Sequence, residues 1–257
     1  MVKTTLTTTA YNKTMIKLVT WNCQGAFRKK FLPIAAMAPD LAVIQECEHP
    51  DRISWKGGPP PTSILWFGEK PTRGLGVFSW TDLTFEPLEE YDASIRHCIP
   101  IRVVSPYTFQ LIAVWAMDHK DDRHSYSGQV YQAVGTYREF IQSADTVLIG
   151  DYNSSTLTTP KSRLGNHSTL TLDLHNLWLI SAYHQFYHER QGQEKRWTFF
   201  HGRKRDRHGH IDYVYIPSRW LRRLANVQVG DPQGWLQYSD HCPVIVEIRE
   251  VEKGRIV

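Results

Sequence analysis

Cysteine is scarce: Cys23, Cys47, Cys98 and Cys242 stand far apart, and no Cys-x-x-Cys occurs. Neither a zinc knuckle nor a redox dithiol is suggested. A chain of 257 residues needs no disulfides for stability, so the thiols read as reduced and the compartment as cytoplasmic. No run approaches the ~18 apolar residues a membrane helix requires, so no membrane span is expected. Residues 1–14 (MVKTTLTTTAYNKT) lack the apolar segment of a signal peptide and read as a flexible tail. No Pro/Gly/Ser-rich linker or internal repeat follows, and the GGPPP cluster at 57–61 is only loop-sized. One domain over 15–257 is expected, and without an oligomerisation signal it reads as a monomer.

Strong net charge is also missing. Lys and Arg number 30 against 26 Asp and Glu, a formal +4. That is compatible with an anionic partner without requiring one. What the chain does have is short apolar runs. They lie at 16–21, 41–45, 64–67, 75–80, 99–104, 109–115, 146–149, 211–216 and 244–248, each flanked by turn residues, and they predict strands. Apolar residues at helical spacing predict one helix over 128–143, with shorter candidates at 31–37, 168–178 and 218–224. Many strands, few helices and no regular alternation predict an α+β domain with stacked sheets.

Polar residues recur at the ends of these runs. Asn22 follows the first (LVTWNCQG), Glu46 the second (LAVIQECE), and Asp151 and Asn153 another (TVLIGDYNSS). Asp212 opens a run (GHIDYVYI), and Asp240 and His241 stand in a turn before the last one (YSDHCPVIVEI). A lone Asp in such a place is ordinarily a turn former or helix cap. Together they supply hard oxygen donors and one imidazole, which suits Mg²⁺ or Mn²⁺ better than zinc. Phosphodiester hydrolysis needs an in-line nucleophile and neutralisation of the phosphoryl oxygens. A carboxylate, a divalent ion and an imidazolium meet those needs.

In this order, WNCQG, IQECE, GDYNSS, HIDYVY and SDHCPV resemble the motifs of the endonuclease/exonuclease/phosphatase superfamily. Its members include exonuclease III-like and abasic-site endonucleases, deoxyribonuclease I, sphingomyelinases, deadenylases and inositol polyphosphate 5-phosphatases. The resemblance runs from about Met15 to Ile248. It implies a four-layer α/β sandwich, two mixed β-sheets packed face to face with helices outside. It implies Glu46 as the main Mg²⁺ or Mn²⁺ ligand, with Asn22 and Asp240 near the ion. It implies that Asp151 orients or deprotonates the attacking water and that Asn153 holds the phosphate or supports Asp151. His241 would contact a phosphate oxygen, its tautomer fixed by Asp212.

Three departures limit the resemblance. Trp115 stands where the family delivers a Tyr or His to the phosphate, and an indole cannot exchange a proton. His119, His124 or Tyr126 could substitute from the next loop, or all three could be solvated loop residues. Gln24 replaces a second acidic ligand found in some abasic endonucleases. HIDYVY lacks the tryptophan of the abasic-endonuclease version, so abasic-site specificity is not carried over.

The loop 197–210 (WTFFHGRKRDRHGH) holds Arg203, Lys204, Arg205 and Arg207 just before Asp212. Beside a phosphate-cleaving site it reads as a nucleic-acid backbone contact, with Trp115 a further substrate contact. WTFF itself looks like a strand. Arg28, Lys29, Lys30, Lys161 and Arg163 add charge near other site loops, whereas Arg73 and Arg96 read as surface charge. The expected function is a Mg²⁺- or Mn²⁺-dependent nuclease, DNA favoured over RNA. The alternative is a phosphatase or phosphodiesterase on a phosphoinositide or other small phosphate ester.

Overall fold

A computed structural model describes residues 15–89, 91–104, 108–119, 121, 125–163 and 165–249. The expected tail at 1–14 and His124 lie outside the described residues. Two six-stranded sheets carry the structure. The first contains β1 (Met15–Asn22), β2 (Leu41–Cys47), β3 (Ser63–Lys70), β4 (Arg73–Ser79), β13 (Leu224–Val229) and β14 (Val244–Arg249), in the order β13-β14-β1-β2-β4-β3. The second contains β5 (Thr84–Pro87), β6 (Cys98–Val104), β7 (Phe109–Trp115), β8 (Thr146–Asp151), β9 (Leu179–Ser181) and β12 (Asp212–Pro217), in the order β5-β6-β7-β8-β12-β9. Each sheet is mixed: β1 runs parallel to β2 and β7 to β8, and the other pairs are antiparallel.

The two-residue alternation of strand side chains sorts the core into layers. Leu18, Val43, Leu111, Val147, Ile149 and Val214 share one buried cluster between the sheets. Their neighbours Val19, Ala42 and Ile44 face outward onto α1 (Phe31–Ala36) through Phe31, Ile34 and Ala35. On the other side Ile112, Leu148, Tyr213 and Tyr215 face α2 (Ser127–Thr136), α3 (Arg138–Ser143) and α4 (His167–Asn176). The result is helix, sheet, sheet, helix. No helix among the described residues is long and apolar enough to cross a membrane.

The apolar runs became strands, with ends moved by at most three residues. The helix expected over 128–143 is broken instead at Tyr137 (φ −97°, ψ 23°). Gly135 and the β-branched Thr136 weaken the helix there, and the Tyr137 hydroxyl accepts a hydrogen bond from Asp92 N–H at 3.0 Å. WTFF contributes only Phe199–Phe200 to a strand, β10, paired with β11 (His208–Gly209) in a separate ribbon. The segment expected as a helix over 218–224 is a 3-10 run, Ser218–Arg223.

Candidate active site

The parity that builds the core also aims the polar residues. Asn22 shares its face of β1 with Ile16 and Leu18, Asp151 its face of β8 with Val147 and Ile149, and Asp212 its face of β12 with Val214 and Ile216. All three therefore point into the seam between the sheets, at the end where the apolar filling stops. In register, Asp151 lies opposite both Trp115 and Asp212. The approach of β7 to β8 is close here. A Cβ on Gly150 (φ +154°) would lie 1.8 Å from the Val114 carbonyl oxygen, so only glycine fits before Asp151.

Glu46 breaks the alternation. Strict parity would send it outward with Ala42 and Ile44. A bulge between Gln45 and Cys47, with Glu46 at φ 62°, turns its side chain toward the seam instead. There one Glu46 oxygen accepts from Asn22 Nδ2 at 3.2 Å, and Asp151 Oδ2 accepts from the same amide at 2.9 Å. Asp151 also accepts from the Asn153 backbone N–H at 2.8 Å and from Asn153 Nδ2 at 3.2 Å. Asn153 is thus folded back on Asp151 and donates to the Ala116 carbonyl at 2.8 Å.

His241 arrives from the loop before β14. That loop is tied to β1 twice: Trp21 Nε1 donates to the His241 carbonyl at 2.9 Å, and Ser239 Oγ donates to the Asn22 carbonyl at 2.7 Å. His241 Nδ1 lies 3.0 Å from Asp212 Oδ2, and its Nε2 lies 3.9 Å from Asp151 Oδ2. The Phe199 ring packs on the imidazole at 4.8 Å between centroids. Burial alone would lower the His241 pKa. The charges of Asp212 and then Asp151 override it, so the imidazole is held cationic well above its ordinary range. Asp151 is raised, first by burial and next by the Asp212 charge, with His241 and Asn22 opposing.

Asp151, Asp212 and His241 bring their ligand atoms within 4.8 Å of one another, the one such grouping of three among the described residues. Glu46 and Asp240 do not join it. Asp240 contacts its own loop, accepting from Ser239 Oγ at 3.5 Å. For a hard divalent cation the better fit is beside Glu46. That carboxylate is 15% exposed, which leaves room for the ion's waters, and Asp151 and Asn22 stand next to it. The three-residue grouping is fully enclosed and its imidazole is already bonded.

Two clefts lie near the site, one reaching Trp115, the β7 register partner of Asp151, and the other Asn153. The first, about 380 Å³, lies toward β6 and β7 and is lined by Lys70, Arg73, Arg96, His97, Trp115 and His119. The second, about 570 Å³, lies toward the β10–β11 ribbon and is lined by Tyr126, Asn153, Arg163, Phe199, His201 and Arg207. Of the basic loop, Lys204, Arg205 and Arg207 are exposed. Arg203 is committed to the fold: its guanidinium donates to Gln24 Oε1 at 2.6 and 3.1 Å and to the Gln237 and Tyr238 carbonyls at 3.2 Å each. Arg28 pairs with Glu48, and Lys30 donates to the Cys23 carbonyl at 2.8 Å. Trp115 is only 4% exposed and carries the His97 ring at 4.7 Å, so its face is not open for a base. The Trp197 face is likewise taken, by His208 stacked at 4.2 Å.

Arg73 is the site residue that the sequence pattern does not reveal. It ion-pairs with Glu46 and lies 5.6 Å from the Trp115 ring, so its reading as surface charge is corrected. Its position follows from β2–β4 pairing, where Cys47 opposes Gly74. No local motif signals that pairing.

Neither a protein-family model nor a curated protein sequence matches the chain. Solved structures do. The 3′ phosphatase NExo from Neisseria, solved with a product DNA hairpin, matches with a TM-score of 0.67 at 19% identity, over 91% of this chain and 99% of that one. The AP endonuclease LMAP from Leishmania major matches at 0.67 and 13% identity, over 93% and 89%. The chain shares the fold of these proteins. An AP endonuclease from Archaeoglobus fulgidus shares it, at a TM-score of 0.61 and 16% identity over 92% of this chain and all of that one. At these identities the likeness establishes architecture, including the two-sheet seam where the polar residues converge.

Proposed function

We propose that the chain is a divalent-metal-dependent phosphodiesterase, a nuclease that hydrolyses DNA by attack of water on phosphorus. The observation that carries this reading is the convergence of Asp151, Asp212 and His241 with Asn22, Glu46 and Asn153 at one end of the seam. Asp151 is the group that orients and deprotonates the water. Its burial raises its affinity for a proton toward the range a general base requires. His241, kept protonated by Asp212, directs Nε2 at a non-bridging phosphoryl oxygen and offsets the charge that grows there. Asp212 holds the imidazole with Nδ1–H toward itself. Asn153 fixes the Asp151 carboxylate through its backbone N–H and side chain. Glu46 and Asn22, with Asp240 from the facing loop, would hold Mg²⁺ or Mn²⁺, which supplies Lewis-acid neutralisation of the phosphoryl oxygens and of the leaving oxygen.

DNA is favoured because proteins of this fold include a 3′ phosphatase solved with a DNA hairpin and AP endonucleases. Arg163 and Arg207 in the second cleft are suited to its backbone. Four buried free thiols fit a reducing, cytoplasmic compartment, and the protein is proposed to act as a monomer. The test is cleavage of supercoiled plasmid, linear duplex, single-stranded DNA, RNA, an abasic duplex and a soluble inositol polyphosphate in Mg²⁺ or Mn²⁺, with EDTA as control. Metal-dependent cleavage of DNA is expected. Turnover of the inositol phosphate alone would replace the nuclease reading with a small-molecule phosphatase.

A further inference from the structure

Arg73 links the carboxylate proposed for the ion to a cleft that nothing else in the mechanism uses. Its guanidinium pairs with Glu46 while the same side chain lines the first cleft, against Trp115 and beside Lys70, Arg96 and His119. The Arg73 side chain is 56% exposed, so the pair is partly solvated and weakly held. Arg73 also begins β4, next to the turn from β3, where a long side chain has space to swing. With Arg73 on Glu46 Oε2 and Asn22 on Oε1, a divalent ion arriving at this carboxylate meets a competing cation.

We propose that Arg73 is a displaceable cation: it neutralises Glu46 when no ion is bound, and when an ion takes Glu46 it turns into the first cleft and binds a phosphate next to the one being cleaved. This rests on the reading of the site as a metal-dependent phosphodiesterase. It makes the ion and the flanking phosphate mutually supporting ligands. By linkage each raises the affinity for the other through one side chain. It also gives the first cleft an occupant, the anionic backbone of a polynucleotide extending beyond the scissile phosphate.

Two binding measurements that need no turnover test it, on wild type, Arg73→Gln and Arg73→Lys. The first is calorimetric titration of Mn²⁺ into the protein without substrate. Arg73→Gln should bind Mn²⁺ about two- to fivefold more tightly, the range expected for removing a half-exposed competing ion pair, and Arg73→Lys should stay near wild type. The second is anisotropy with a labelled single-stranded octanucleotide, in EDTA and in Ca²⁺. In EDTA wild type and Arg73→Gln should bind equally. In Ca²⁺ both should gain through the ion, and wild type should gain more, with a salt slope steeper than that of Arg73→Gln by about 0.7, the value for one extra phosphate neutralised on a single strand. Unchanged or weaker Mn²⁺ binding by Arg73→Gln would overturn the competition. An equal loss of octanucleotide affinity in EDTA and Ca²⁺ would overturn the swing. Failure of wild type to cleave any ester would sink the nuclease reading and leave both binding results standing.

Discussion

Replacing Asp212 with asparagine should lower the pKa of His241 well below its value of about 10. The Asp212 and His241 atoms are 3.0 Å apart and both side chains are buried. At an effective dielectric of about 20, a unit charge pair at that distance is worth about 5.5 kcal/mol, equivalent to about four pKa units. Asparagine keeps an oxygen to accept the Nδ1–H bond, so the shift falls short of that ceiling, and a drop of at least about two units is expected. Burial then pulls in the same direction, because it opposes the charged form. The Asp151 carboxyl responds as well. It loses the Asp212 charge that raises its pKa and, as His241 deprotonates, the cation that lowers it, while burial still holds it up. The assay is an NMR titration of the His241 ring in EDTA, assigned with His241→Gln. Stability supplies a second readout. A histidine whose folded-state pKa is raised contributes stability that is complete below its unfolded value and lost as pH rises through the folded one. The alkaline decline of wild-type stability should therefore flatten in Asp212→Asn. A His241 pKa within about half a unit of wild type would refute the claim that Asp212 holds this imidazole cationic.

Glu46→Gln should weaken Mn²⁺ binding at least about tenfold by calorimetry while the far-UV spectrum stays unchanged, because the bulge rather than the charge shapes the strand there. Lys204→Ala, Arg205→Ala and Arg207→Ala combined should flatten the salt dependence of duplex DNA binding by up to about 0.9 for each phosphate no longer neutralised, without changing Tm. Arg203→Ala should instead lower stability by about 1 kcal/mol in urea, since it removes hydrogen bonds that tie the loop to Gln24 and Tyr238. Burial depresses the pKa of His97 and His210 to about 4 and of His167 to about 3. Stability should therefore be full above the unfolded value near 6.5 and fall as pH drops from there toward 4, opposed by the single proton that Asp151 gains. Urea midpoints across that range measure the net slope, and His97→Asn should reduce it by up to about 1.4 kcal/mol per pH unit.

The sheets were legible because the apolar runs carry their own parity. The run at 109–115 is buried throughout, alternating between the inter-sheet core and the helix layer. The same parity turns Asn22, Asp151 and Asp212 into the seam, whereas in the sequence only their places at strand ends and the family resemblance marked them. It fails at Glu46, where the bulge that re-aims the side chain leaves no mark in LAVIQECE, and there the family resemblance, not the period, singled out the residue. Asp240 rides on a loop tied to β1 through Ser239 Oγ and Trp21 Nε1, not through its own carboxylate. The basic loop looked uniform as a string of cations. Folding divides it, because only Arg203 meets the Gln24 amide and the carbonyls of the turn before β14. The surroundings of Trp115 and Arg73 are set by neighbours from other strands, which the local sequence does not show. His97 covers the indole, and Glu46 draws the arginine into the site.

Asp151 is proposed to activate the water at a metal-dependent phosphodiesterase site. This role is tested most directly by the single-turnover rate of Mn²⁺-dependent plasmid nicking by wild type and Asp151→Asn, with circular dichroism and Mn²⁺ calorimetry to confirm that the variant is folded and loaded. EDTA-sensitive nicking by wild type and a loss of at least about a hundredfold in the variant are expected. Nicking by a folded, Mn²⁺-loaded Asp151→Asn protein at a rate near wild type would contradict that role.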